Sequence, residues 1–203
     1  MYRTVEDLRE ELNLIQNKRI REWTEATLNK VHYYFFIASS SSSGKYHPKC
    51  TVKEGGLITH VKRAVYLANH ICVGWGIFDL DRDIVISATI LHDIAKTPNK
   101  KVAHLYSMIT TEEDFVNHPI NAKKYFDTKI KLNKKIVNAI NKCIQYHMGR
   151  WTPDSIKKEI KEYSLIELAV YTADYLSSRK DLITPEDEIE MVELGDHIVK
   201  EGC

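Results

Sequence analysis

No stretch of the 203-residue chain approaches the roughly 20 consecutive apolar residues that a membrane-spanning helix needs, which excludes such a helix. Charge of one sign is also in short supply. The 29 Lys and Arg stand against 28 Asp and Glu, a net charge of +1. The whole-chain field therefore gives no reason to expect extended nucleic acid or an anionic membrane as a partner, and any anion-binding power must be local. The cysteines, Cys50, Cys72, Cys143 and Cys203, show no CxxC spacing, and the chain opens without a basic, apolar, small-residue leader. Reduced thiols and a cytoplasmic location are the expectation. Alternating strand-like runs and internal repeats are missing as well, which leaves an all-α reading: a compact helical bundle whose functional side chains converge from several helices. At this length one domain is the working count.

What is present is helical periodicity. Val5, Leu8, Leu12 and Ile15 recur at spacings of three and four behind Thr4 as a cap, and Ile20, Trp23, Leu28, Val31, Tyr34 and Phe35 predict a second helix from Asn17 to about Ile37. These helices, within residues 1–38, are expected to pack on a main domain at 44–180. Residues 181–203 add a C-terminal helix to that domain, opened by Pro185. The serine run before Gly44 reads as a flexible connector. Lys45, Tyr46 and His47 follow it in a glycine-lysine loop, which can order on a phosphate although it lacks the GxxxxGK[ST] frame.

Behind Gly55-Gly56, an apolar stripe from Ile58 to Cys72 predicts a helix with His60 in its first turn. Residues 79–83 read as an acidic approach to the next helix, and residues 84–94 are apolar nearly all round, the pattern of a central buried helix. That helix ends in His92-Asp93, with Lys96 one turn further on. After a polar, weakly periodic excursion over residues 100–116, Asn117-His118-Pro119 starts a helix running through Phe126. The run Ile136 to Ile144 delivers His147, and the apolar run Leu165 to Leu176 carries Asp174. His32, His70, His104 and His197 fall outside this pattern and read as peripheral.

A histidine and a carboxylate side by side where a buried helix ends are costly unless something binds them. The pair alone has another reading, a cap group near the helix dipole. The order His60, His92-Asp93, His118, His147, Asp174, together with the Gly-Gly-Leu-x-x-His opening and the terminal Ala-Asp-Tyr-Leu, resembles the six-ligand form of the HD-domain superfamily of metal-dependent phosphohydrolases. The resemblance implies that His60, His92, Asp93 and Asp174 hold one divalent ion and His118 and His147 a second, with Asp93 bridging. Two such ions about 3.5–4 Å apart activate a water as hydroxide. Asp93 and Lys96 are then the catalytic candidates, Lys96 holding a phosphate oxygen or a carboxylate.

Manganese, iron, nickel, cobalt, zinc and magnesium all remain open as the metal. Lys45, Tyr46, His47, Arg150, Trp151 and Arg179 are candidate substrate contacts, the arginines as phosphate clamps and the aromatics as stacking surfaces. The expected activity is hydrolysis of a nucleotide-type phosphoester, a diester ahead of a monoester, on a small nucleotide or short oligonucleotide. Two alternatives share the ligand set: a mixed-valent di-iron oxygenase, and a nucleotide-binding module without turnover. The segment Met148-Gly149-Arg150-Trp151-Thr152-Pro153 departs from the Asp-Gly-x-Gly-Tyr-Pro of the cyclic di-GMP branch, which speaks against that substrate.

Overall fold

A computed structural model describes residues 3–41 and 44–185, and every regular element among them is helical. Thr4 caps a 3-10 turn, Val5–Leu8, through a capping box with Asp7, and the turn runs into α1, Arg9–Asn13. Asn17 accepts hydrogen bonds from the backbone N–H groups of Arg19 and Ile20 and so starts α2, Lys18–Leu28. The long second helix predicted to reach Ile37 is broken. Lys30 and Val31 bond back to Thr27 and Leu28, three residues earlier, a tightening that ends α2. A separate short helix, α3, Tyr34–Ile37, follows and buries Phe35 and Phe36.

The N-terminal helices share the main core. Leu8, Leu12, Ile15, Ile20, Trp23 and Leu28 are buried with the apolar residues of the later helices in one cluster. The fit is fastened by polar contacts with α5, Asp79–Leu91. Asp83 accepts from the N–H groups of Gln16 and Asn17 at 2.9 and 2.7 Å, and Thr24 and Ser87 hydroxyls meet at 2.7 Å. Residues 79–83 thus belong to α5 itself and do not precede it. Asp79 and Asp81 lie in its first turn, where carboxylates are favoured by the N-terminal partial charge.

Ahead of α5 lies α4, Gly56–Trp75. Gly55 sits at φ +71°, and a Cβ on Gly56 would lie 2.2 Å from the carbonyl oxygen of Thr51, so the glycine pair lets the preceding loop press directly on the helix start. His60 falls in the second turn of α4, one turn later than expected. Gly56→Ala should cost about 1–3 kcal/mol, a fall of several degrees in Tm. A variant melting with the wild type would mean that the loop at Thr51 moves aside freely.

The predicted excursion contains a 3-10 turn, Ala103–Tyr106, and α6, Glu112–Val116, started by a Thr111–Asp114 capping box. The helix expected to run through Phe126 is shorter, α7 spanning His118–Asn121 before a 3-10 turn, Ala122–Tyr125. The last two helices are α8, Lys134–Tyr146, and α9, Leu165–Ser177. Residues Asp83 to Leu91 of α5 are all buried, and α4, α8 and α9 pack around it, as its all-round apolar surface requires.

Cys50, Cys72 and Cys143 are buried, and burial pushes the thiols of Cys72 and Cys143 up. No described helix is long and apolar enough to cross a membrane. The helix predicted after Pro185, with His197 and Cys203, lies outside the described residues.

Candidate metal centre

His92 is the C-terminal cap of α5 and His147 that of α8; His118 is the first residue of α7. Each of these rings is held the same way. The Nδ1 atoms of His92, His118 and His147 lie 2.7, 3.1 and 2.7 Å from the carbonyls of Thr89, Phe115 and Ile144, three residues back. A carbonyl only accepts, so each Nδ1 carries the hydrogen and each Nε2 is the potential ligand atom. His60 reaches the same state by another route. Ser177 Oγ gives its proton to the Asp174 carbonyl at 2.7 Å and therefore accepts from His60 Nδ1 at 3.1 Å.

The four Nε2 atoms converge in two pairs, His60 with His92 at 3.1 Å and His118 with His147 at 3.4 Å. Asp93 stands between the pairs. Its Oδ2 faces His92 at 3.4 Å and His60 at 3.9 Å, and its Oδ1 faces His118 at 3.0 Å and His147 at 3.7 Å. Asp174 Oδ1 adds a contact to His60 at 3.0 Å and to His92 at 3.5 Å. Within the triads His60, His92, Asp93 and Asp93, His118, His147, the donor atoms all lie within 4.8 Å of one another.

Buried imidazole nitrogens aimed at each other are unfavourable unless a proton or a cation lies between them. The electrostatics show the same demand. Burial pushes His147 down to about 3 and lowers His60. At His92 burial also pushes down, but the charges of Asp93 and Asp174 outweigh it and lift the ring to about 9. Burial raises both carboxyls, yet Lys96 and His92 hold Asp93 far below the usual carboxylate range, and the His60 hydrogen bond does the same for Asp174. The charges that draw a proton to His92 attract a metal cation equally. A buried set of imidazole nitrogens and carboxylate oxygens, each ring oriented from behind by a hydrogen bond, fits a divalent metal of borderline character.

Lys96 completes the surroundings. Its ammonium donates to Asp93 Oδ2 at 3.1 Å and to the Ser40 carbonyl at 2.6 Å. Of the two roles expected for it, the structure displays the carboxylate contact. The serine run is not a loose connector where it meets this site. Ser40 is buried, and its N–H and hydroxyl both donate to the Thr51 carbonyl, at 2.8 and 2.7 Å. The lysine and the Thr51 loop therefore hold it from both sides.

Two clefts open beside the centre. One, of about 210 Å³, is lined by Tyr46, His47, His147, Trp151, Asp174 and Arg179 among others. The second, of about 380 Å³, is lined by Lys96, His118, Ser40, Tyr34 and Phe115, and shares Met148 and Trp151 with the first. Of the six substrate contacts expected from sequence, Tyr46, His47, Trp151 and Arg179 therefore line the first cleft. Lys45 and Arg150 line neither; Lys45 lies over the Tyr46 ring at 5.1 Å and Arg150 over Trp151 at 4.0 Å.

His70 bonds to Tyr66 on its own helix and His104 is exposed, while His32 stacks on Tyr33; none of these joins the centre. Sequence reasoning missed Ser40, Ser177 and Arg63. Arg63 was detectable, since it lies one turn after His60 in the run of α4 that the apolar stripe marks as buried.

A helical bundle that gathers imidazole and carboxylate donors from five helix segments has the donor set of a divalent-metal site. The chain belongs to the HD domain family, whose model matches residues 57–179, and so to the metal-dependent phosphohydrolase superfamily. No curated protein and no solved structure matches it.

Proposed function

We propose that the protein is a divalent-metal phosphohydrolase acting on a nucleotide-type phosphoester, with a diester preferred to a monoester. The observation that carries this reading is the division of Asp93, one oxygen toward each histidine pair. In this assignment His60, His92, Asp174 and Asp93 would hold one ion, and His118, His147 and Asp93 the other. Such a pair of ions would supply a water acidified toward a pKa of about 7 and positive charge beside phosphoryl oxygens.

The chain's own residues supply the rest. The carbonyls behind His92, His118 and His147 and the Ser177 hydroxyl behind His60 keep each Nε2 aimed at the centre, which spares reorganisation during the reaction. Lys96 keeps Asp93 ionised and oriented. Asp174, whose side chain is 19% exposed where those of His60 and His92 are 2% and 0% exposed, stands on the side open to the smaller cleft. The preference for a diester rests on the two clefts, which meet at Met148 and Trp151 and touch the centre from different sides, His147 and Asp174 in one and His118 and Lys96 in the other. The first lies below and the second near the lower end of the roughly 300–1,000 Å³ of a drug-sized site, so each suits one arm of a two-armed ester.

The test is turnover of phosphomonoesters, cyclic nucleotides and short oligonucleotides with manganese, iron and nickel supplied. Release of product from diesters is expected; complete inertness rejects the reading, and oxygen uptake by the iron form would replace it. Metal removal provides a second check. At an ion concentration about 100 times Kd, binding stabilises the folded state by about 2.7 kcal/mol, so exhaustive chelation should lower Tm by roughly 5–10 °C and restoring the ion should recover it. An unchanged Tm would argue against a bound metal.

A further inference from the structure

His47 lies outside the residues matched by the family model, yet its ring is 5.7 Å from that of His60. Its Nδ1 is 3.1 Å from Ser40 Oγ. That hydroxyl has a single proton, and the 2.7 Å contact to the Thr51 carbonyl uses it, because a carbonyl cannot donate. Ser40 must therefore accept from His47, which places the ring hydrogen on Nδ1 and leaves Nε2 as a bare acceptor. Among the described residues no group donates to that nitrogen. His47 lines the smaller cleft together with the metal-centre residues His147 and Asp174.

Four aromatic rings, Tyr46, Trp151, Tyr171 and Tyr175, line that cleft beside Met148, Ser178 and Arg179. Tyr46, Trp151 and Tyr175 are 51%, 54% and 40% exposed overall. Arg179 is seated over both tyrosine rings, at 5.1 Å from Tyr46 and 4.3 Å from Tyr175. The Lys180 N–H bonds to the Tyr46 carbonyl, so the loop carrying Tyr46 and His47 is tied to the end of the helix that carries Asp174. Exposed ring faces suit stacking of a flat heterocycle. A bare acceptor between those faces and the metal centre suits a hydroxyl close to the phosphate.

The geometry points to a ribonucleotide subsite: the aromatic cleft receives the nucleoside arm, and His47 Nε2 accepts a hydrogen bond from a ribose hydroxyl next to the phosphate. His47 is then the residue that selects ribose over 2′-deoxyribose. This assignment builds on the phosphoester reading, but it concerns residues outside the metal-ligand set. The neighbouring Ser40 acts as a positioning residue, through the tautomer it imposes.

The experiment is calorimetric titration of the full chain, with magnesium present, by adenosine 3′-monophosphate, in which the 2′-hydroxyl adjoins the phosphate, and by its 2′-deoxy counterpart. Turnover of the matched ribo- and deoxyribo-dinucleotides is followed alongside with manganese. A site built around an acceptor loses affinity for a ligand that leaves it unpaired, on the order of ten- to hundredfold, and that ratio is expected in the wild type. His47→Leu should bring the ratio to about one through weaker binding of the ribonucleotide, while His47→Gln, whose amide oxygen can accept, should keep part of it. Equal affinities in the wild type, a ratio that survives His47→Leu, or binding of neither nucleotide overturns the subsite. Equal affinities accompanied by diester turnover would overturn it and leave the phosphohydrolase reading standing. A ribose preference that disappears in His47→Leu, without turnover of any phosphoester, would keep the subsite and reject the hydrolase.

Discussion

On the proposed two-ion assignment, Asp93→Asn should leave a folded protein that binds one equivalent of metal instead of two and has lost at least about a hundredfold in kcat/KM. The asparagine has the shape of the aspartate, so the packing at the end of α5 survives, but two things go with the charge. One amide end becomes an NH₂ donor, which cannot coordinate a cation, so one of the two histidine pairs loses its shared oxygen. Lys96, which donates to Asp93 Oδ2 at 3.1 Å, also loses its ionic partner beside four buried imidazoles. Removing an outer-sphere partner of a metal ligand already costs about 10–100-fold in affinity or activity, and loss of the bridging ligand should exceed that. Metal content by elemental analysis and kcat/KM on the best diester are the measurements. If Asp93→Asn keeps two equivalents of metal and near-wild-type turnover, Asp93 does not bridge.

Arg63→Met should lower stability by about 3–5 kcal/mol, the range for breaking a buried charged interaction, and reduce Tm by on the order of 10 °C. The Arg63 side chain is fully buried in α4. It donates to the carbonyls of Ser177 at 3.1 Å, Arg179 at 3.3 Å and Leu182 at 2.8 Å, and to Thr184 Oγ1 at 3.4 Å. These carbonyls belong to the end of α9 and the chain just beyond it, where a helix leaves its last acceptors unsatisfied and carries partial negative charge. Methionine fills much of the volume but supplies no donor, so the buried Ser177 carbonyl and the part-buried carbonyls of Arg179 and Leu182 would lose the guanidinium at once. The same helix end holds Asp174 and Ser177, the latter orienting His60, so metal affinity should fall together with Tm. Thermal melts with and without metal separate the two effects. A variant with wild-type Tm would show that water replaces the guanidinium at no cost.

That His60, His92, Asp93, His118, His147 and Asp174 come together was legible from local rules joined to the resemblance of their order. The apolar stripe of α4, the all-round apolar run of α5 and the amphipathic pattern of α8 each place a histidine near a helix start or end, and the order of the donors along the chain carries the family resemblance. Short-range competition was harder to read. The break after Leu28 depends on backbone bonds to residues three positions back, and the start of α5 at Asp79 depends on Asp83 being claimed by the N–H groups of Gln16 and Asn17. Periodicity alone reports neither.

Helical periodicity, a property of neighbouring residues, determined the all-α class from the chain by itself, and the order of His and Asp along it, through the family resemblance it carries, singled out the six side chains that converge. Only tertiary structure decided which oxygen of Asp93 faces which pair, how Ser40 sets the tautomer of His47, and that Arg63 fastens the end of α9. The physical reason is distance along the chain. Arg63 and Ser177 are 114 positions apart, and Lys96 and Ser40 are 56 apart. Partners so far apart meet only once the helices have packed.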